Sequence, residues 1–482
     1  MVAMSNSTET RAETNADRLS NLPDHVAHNI LSLLSMEDIS RLCVVSKRCR
    51  ELSISIPNLA FDSVECRNNA TKQGQLMSYL DRFWLLRKGM DTRRFYLRWC
   101  SQSILFDDEE RHLLTWLENA VMCNVELLDV VIILKTEEVD FPMPPNVLRS
   151  KSLKNLRINL NYGILIFPSS ITSFGFSSLQ NLSLNSVQID ESFGEWISSC
   201  CKFIRKVRLS HIRGSKRLII TSASLEEFMI LFASDLCHIE LSAKKLQILG
   251  VDWGSDSSSN KALQLSAPKL RVLILMGDIS NFSSKDNFIH SGTTGIFIRN
   301  DSYSSNSSTQ CLLNLLRGVR NTKILYLHDM CIKHGRLPFM FINLSTLYIY
   351  LDPKTISISD SLLLALPAVL AGTPNLLNLY VGNISFSIPF DEMEEVYDKA
   401  MGSRESHNSM VIPNLKSVIT NFNSVEKNEL ELIKYLLKQA KNLKKMTIFN
   451  APPLESDIIR EIRQYEKSAE VIFHEQDLSY CP

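Results

Sequence analysis

The chain has 482 residues, with 52 Lys+Arg against 52 Asp+Glu and a pI near 7.1. Zero net charge leaves no whole-chain field for coating a polyanion, and an apolar fraction of 45% excludes bulk disorder. Gly and Pro, 16 each, are too scarce for collagen-like or low-complexity chains, whereas leucine is in excess at 67.

Residues 1–16 are polar and have no apolar h-region, so a disordered tail is expected there rather than a secretory signal. The longest apolar stretch, Leu362 to Ala371, is too short to span a bilayer and is interrupted by Pro367. Eleven cysteines occur without a C-x-x-C pair or zinc-site spacing. Reduced thiols in a cytoplasmic or nuclear, non-secreted protein are expected, with no metal and no cofactor.

Residues 17–62 read as three short helices. Pro23 suits a helix start, and Val26, Ile30, Leu33 and Leu34 recur at helical spacing. Ser35 to Asp38 is a capping-box variant opening a second helix with Ile39, Leu42 and Cys43. Val45 to Leu52 reads as a third, with Lys47, Arg48 and Arg50 on its wet side. Three short helices give a marginal core that a partner could complete.

The order Leu22-Pro23-x-x-Val26, Ile30-Leu31, Leu34, Val45-Ser46-Lys47-Arg48 and Arg50-x-Leu52 resembles the F-box. F-box helices dock on the Skp-type adaptor of cullin–RING ubiquitin ligases. The resemblance implies docking or supporting roles for Leu22, Pro23, Ile30, Leu31, Leu34, Val45 and Leu52. One departure is Cys49, where the family usually has Trp. The smaller side chain buries less area, which weakens the expected adaptor contact.

Residues 63–124 read as a connector and the start of the next domain. Leu76, Leu80, Phe83 and Leu86 fit a helix, and Arg93 to Trp99 alternates as a half-buried strand. The cations among these aromatics read as structural rather than as a nucleic-acid platform. The helix and strand resemble those that follow the F-box in plant proteins of the FBD class. Asp107 to Glu110 reads as a solvated helix N-terminus ahead of Leu113, Leu114 and Leu117.

From Val125 the chain returns to Φ-x-x-Φ-x-Φ, where Φ is apolar. The heads Val125, Leu153, Leu179, Ile204, Leu225, Leu246 and Leu270 are 28, 26, 25, 21, 21 and 24 residues apart. These intervals fall within the 20–29 residue period of leucine-rich repeats. The pattern returns at Leu344, Leu376 and Leu443, with a weaker copy at Leu325/Leu327 and a presumed loop from Gly292 to Thr309. Around Ile219, Ile239 and Leu263, apolar-polar-apolar runs followed by Ser-Ala predict short strands on a second face. Such units stack into a solenoid with a curved parallel sheet. Its outward strand positions include Arg157; Arg205, Lys206 and Arg208; Glu226 and Glu227; and Arg271, Val272 and Ile274. This mixed-charge surface favours an unidentified protein substrate over nucleic acid or membrane.

Beyond Val411, a strand, a helix (Leu430, Ile433, Leu437, Ala440) and the strand Lys441 to Ile448 resemble the FBD region that ends many plant F-box/leucine-rich-repeat proteins. It suits a terminal cap. The chain contains no P-loop, G-x-G-x-x-G, H-E-x-x-H or G-x-S-x-G, and His25 and His28 read as exposed helix histidines. The expected fold is α/β: an F-box (17–62), a connector (63–124), repeats (125–410), a cap (411–475) and a tail (476–482). The expected role is a non-catalytic substrate receptor of a Skp–cullin–F-box ligase. A scaffold with a degenerate F-box and a ligand-sensing receptor are the alternatives.

Overall fold

The computed structural model describes residues 22–475 except 67–68, 88, 102–106, 135–138, 162, 169, 234, 255–260, 278–280, 285–291, 298–305, 333–339, 352–357, 384–411, 451–453 and 467–468. The tails expected at 1–16 and 476–482 lie outside the described residues. The chain forms two compact units, residues 1–139 with 144–163, and residues 140–143 with 164–482.

The first unit opens with helices α1 (Asp24–Leu31), α2 (Met36–Val45) and α3 (Lys47–Ile54). Ser35 caps α2 by accepting from Asp38 N–H, and Ser46 caps α3 by accepting from Cys49 N–H at 3.0 Å. Ser46 therefore separates the two helices, and Val45, expected to start the third, ends the second.

Next come β1 (Asn58–Asp62), α4 (Ala70–Leu86), β2 (Arg94–Cys100), α5 (Asp107–Met122) and β3 (Leu127–Ile133), then α6 (Pro145–Leu148) and β5 (Asn155–Asn161); β4 (Val139–Pro142), between β3 and α6 in the chain, belongs from Asp140 on to the second unit. Strands β1, β2, β3 and β5 pair in parallel, aligning Leu59, Phe95, Leu128 and Leu156 in one buried column. The sheet thus begins at Asn58, inside the segment assigned to the F-box, because Leu59 and Phe61 face the same core as Phe95 and Leu97. Phe61, Phe83, Trp84 and Phe95 form an edge-to-face cluster. Glu109, expected in solvent, is buried and accepts the Trp99 indole N–H at 3.0 Å.

The second unit contains β6 (Gly163–Ile166), β7 (Asn181–Ile189), α7 (Ser192–Cys200), β8 (Lys206–Gly214), β9 (Arg217–Ser222), β10 (Glu227–Leu231), β11 (His238–Ala243), β12 (Ile248–Asp252), β13 (Ala262–Ser266), β14 (Val272–Met276), β15 (Asn281–Ser284) and β16 (Thr293–Phe297). It continues with α8 (Asn306–Gly318), β17 (Ile324–His328), β18 (Thr346–Leu351), α9 (Asp360–Ala371), β19 (Asn378–Asn383), β20 (Ser417–Phe422), α10 (Lys427–Gln439), β21 (Lys445–Asn450), α11 (Ser456–Arg463) and β22 (Glu470–Glu475).

Its main sheet is parallel throughout. Leu182, Val207, Phe228, Leu249, Leu273, Thr294, Leu325, Leu347, Leu379, Val418, Met446 and Val471 stand in one register column. Each is the second Φ of a repeat, except Thr294 and the terminal Val471. That polar residue hid β16 within the presumed 292–309 loop, and α8 claims the far end of the same stretch. Helix α9 continues through Pro367 rather than breaking there.

The expected second-face strands are present as a parallel sheet in the order β15-β13-β11-β9, aligning Leu218, Ile239, Leu263 and Phe282. They occur where the period is 21–24 residues, too short for the helix that the 25-residue interval accommodates as α7. Helix α7 covers the β9 edge. A Cβ on Gly194 would lie 2.3 Å from the Ile219 carbonyl, and Thr221 N–H donates to Ser198 Oγ at 2.9 Å.

The opposite face of the main sheet departs from the expected open surface. Across β14 to β18, Val272, Ile274, Phe297, Ile324, Tyr326 and Tyr350 are buried together, with Tyr348 and Tyr380 packed against them. Tyr326 and Tyr348 stack at 4.3 Å and 9°. Val272 and Ile274 therefore belong to a second apolar core.

Candidate functional site

Within α1–α3 the core consists of Ala27, Leu31, Ile39, Cys49 and Leu52, each at most 3% exposed. Val26, Leu42 and Ile54 are half-buried, whereas five other large apolar side chains are exposed. Leu33 is 85% exposed, Val44 79%, Val45 70%, Ile30 41% and Leu34 38%. They cluster in sequence at the C-terminal ends of α1 and α2. One exposed Leu is ordinary, but five such residues in one small module are an unusual exposure of apolar surface.

Polar contacts hold the module in shape. Arg48 pairs with Asp24, Arg50 Nε donates to the Cys43 carbonyl at 3.1 Å, and His28 Nε2 meets Ser55 Oγ at 2.9 Å. His28, expected free, thus ties α1 to the end of α3, and burial lowers its pKa.

In the second unit the expected charged face is largely self-neutralised. Arg205 reaches Glu226 at 2.8 Å, and Lys206 and Arg208 each reach Glu227 at 2.7 Å. Glu227 is 2% exposed, so it is a buried anchor rather than a surface acid. The parallel register sets Lys206 beside Glu227 on the next strand, a spacing near 4.8 Å that favours opposite charges. Arg157, in the first unit, lies 3.9 Å from Asp129, while Arg271 is exposed just before β14.

An aromatic pair is also exposed in this region. Phe232 is 46% exposed and stacks on exposed His211 at 4.8 Å. Both carry left-handed backbones, at φ 54 and 51, which cost a non-glycine residue about 1–3 kcal/mol. Among the described residues, no group of three or more His, Cys, Asp or Glu could hold a metal, and no helix is long and apolar enough to cross a membrane.

Comparison with known proteins places family models along the chain in the same order. The F-box domain model matches residues 19–60, the LRR repeats of the FBD-associated F-box protein At5g56370 match 113–298, and FBD matches 416–448. The chain thus carries an F-box, leucine-rich repeats and an FBD, in that order. It is 25% identical to the F-box/FBD/LRR-repeat protein At5g22660 of Arabidopsis thaliana, over 94% of each chain. It is 24% identical to the FBD-associated F-box protein At1g66310 of the same plant, over 91% of each.

The matched F-box spans α1–α3, so the exposed apolar patch lies on it. Of the residues expected to dock, Ile30, Leu34 and Val45 are exposed, Pro23 is exposed and Leu22 half-buried. Leu31 and Leu52 are buried supports. Leu33 and Val44 join the patch although sequence reasoning did not single them out for docking. Helical spacing places Leu33 on the apolar face of the first helix and assigns Val44 to no face. Cys49 is 3% exposed, so its difference from the usual Trp acts on the module's packing.

The matched FBD comprises β20, α10 and β21. Helix α10 opens with a capping box in which Glu429 accepts Glu426 N–H at 3.1 Å. The buried Glu429 also accepts Ile358 N–H, and Asn428 donates to the Ile358 carbonyl at 2.8 Å. The FBD helix is thereby tied to the segment preceding α9. The unit then runs on through α11 and β22, two elements that sequence reasoning did not anticipate.

Proposed function

We propose that this F-box protein is a substrate receptor of a Skp–cullin–F-box ubiquitin ligase, acting in the cytoplasm or nucleus. The patch Ile30, Leu33, Leu34, Val44 and Val45, flanked by Leu22 and Pro23, docks on the Skp-type adaptor. The single observation behind this reading is the set of large apolar side chains at 38–85% exposure on a module whose own core is complete. The repeats hold a protein substrate, and proximity does the rest: tethering raises the local concentration of substrate lysines near the ligase without chemistry by this chain.

For the substrate surface, the strained, exposed His211–Phe232 pair takes precedence over Arg205, Lys206, Arg208, Glu226 and Glu227, which pair with one another, and Arg271, exposed just before β14, stays a candidate. Arg157, near Asp129, stands between these groups. Affinity proteomics with the proteasome blocked tests the whole reading. Wild type should enrich the adaptor, the cullin and a client. A Leu33→Asp/Val45→Asp variant should lose the adaptor and cullin while keeping the client. Loss of none of them rejects the reading.

A further inference from the structure

We propose that Arg87 is a positioning residue that locks the F-box helices to the first strands of the sheet as one rigid body. The inference rests on the adaptor-docking reading given above. Only Ser55 to Pro57 separate the end of α3 from the start of β1. A three-residue joint can swing unless something outside it holds the helix end. Arg87, at the end of α4 and fully buried, supplies that hold.

Its guanidinium donates in three directions. Nη1 reaches the carbonyl of Ile54, the last residue of α3. Nη2 reaches the Asp91 carbonyl at 2.9 Å, and Nε reaches Thr92 Oγ1 at 3.1 Å. Thr92 N–H in turn donates to the Cys123 carbonyl at 2.7 Å, just beyond α5. One planar fork thus joins the last helix of the F-box, the end of α4 and the entry to β2.

The choice of residue is informative. A buried cation is costly, and this one makes no ion pair among the described residues. Burial pushes its pKa down to about 10. An aliphatic side chain would fill the same space more cheaply. What it could not do is satisfy the orphan carbonyl at the negative end of α3 while holding two other segments at fixed angles. Because α1 and α2 pack on α3, the docking patch takes its direction from this fork. A receptor that works by proximity depends on that direction.

The experiment uses the full chain with spin labels on non-canonical residues at His25 (α1) and Thr115 (α5), both exposed. Wild type should give one narrow label–label distance. Arg87→Met should broaden it, Arg87→Lys should not restore it, and Thr92→Val, which deletes one acceptor and spares the fold, should broaden it partly. In a reconstituted ligase, Arg87→Met should keep adaptor affinity while self-ubiquitination falls by about tenfold. Unchanged distances in both Arg87→Met and Thr92→Val would overturn the proposal, as would broadening without any loss of transfer. If Arg87→Met does not fold, Thr92→Val decides. If wild type fails to bind adaptor, the docking reading falls, and the label distances still judge the clamp.

Discussion

The docking patch makes a quantitative prediction because its members are exposed before any partner arrives. Truncating Leu33 to Ala removes about three methylene equivalents, or about 2.4 kcal/mol when fully buried. At 85% exposure, nearly all of that is available to a partner, about 2 kcal/mol. Val45→Ala removes about two, and at 70% exposure roughly 1 kcal/mol is available. The double variant should therefore lose about 3 kcal/mol of adaptor binding, on the order of a hundredfold in Kd. Its thermal midpoint should hardly move, since neither side chain supports the fold. Leu31→Ala is the control: its side chain is 1% exposed, so it should cost about 2–5 kcal/mol of stability. Titration calorimetry with a recombinant Skp-type adaptor, paired with thermal melts, separates the two effects. A double variant that melts like wild type and binds within threefold of it would refute the assignment of the patch.

Three further outcomes follow from the second unit. Glu227→Gln leaves Lys206 and Arg208 without their shared anion; because both cations are nearly half exposed, the loss should be about 1–2 kcal/mol, read as a lowered urea midpoint at constant slope. Burial raises the pKa of Tyr326, Tyr348, Tyr350 and Tyr380 above 10, so their stabilising contribution is complete below pH 10 and is lost as pH climbs higher. In an absorbance titration these four of the 12 tyrosines should ionise only as the fold is lost; a single reversible step near pH 10 with native circular dichroism would contradict the buried cluster. Glu429→Ala strands the N–H groups of Glu426 and Ile358 and should cost about 2–4 kcal/mol, with hydrogen exchange quickening first around residues 358 and 426.

The fold was legible where physics repeats. Each buried column needs an apolar residue at the same point of every unit, so the spacing of leucines locates most strands of the main sheet, though not β1, β4, β6 or β22. It failed at Thr294, where a buried hydroxyl replaces the apolar residue and no local signal marks β16. The site was legible only in outline. The F-box order of residues located the module, yet which apolar residues face out depends on how α1 and α2 pack on α3, and this hid Leu33 and Val44. Glu227 looked like a surface acid because sequence shows alternation but not register. Only pairing with β8 reveals that two cations close over it.

The charge balance of the chain has a structural cause as well. The pairs Glu126–Lys154, Asp129–Arg157, Arg205–Glu226 and Arg217–Glu240 each join residues one repeat apart. In a parallel stack, one period along the chain is one strand sideways, so a cation in one unit and an anion in the next become neighbours. Each exposed pair contributes only about 0–1 kcal/mol, yet it fixes register between units and removes like-charge repulsion. Charges bound into the stack in this way are poor recognition elements, because a partner would have to displace an existing bond to use them. On the receptor reading proposed above, recognition falls to groups outside these ion pairs. In the F-box these are aliphatic side chains at two helix ends, and in the repeats they are Phe232 and the His211 ring stacked on it, which also meets Asn185 of the preceding strand at 2.8 Å, both on backbones that a glycine would adopt at less cost.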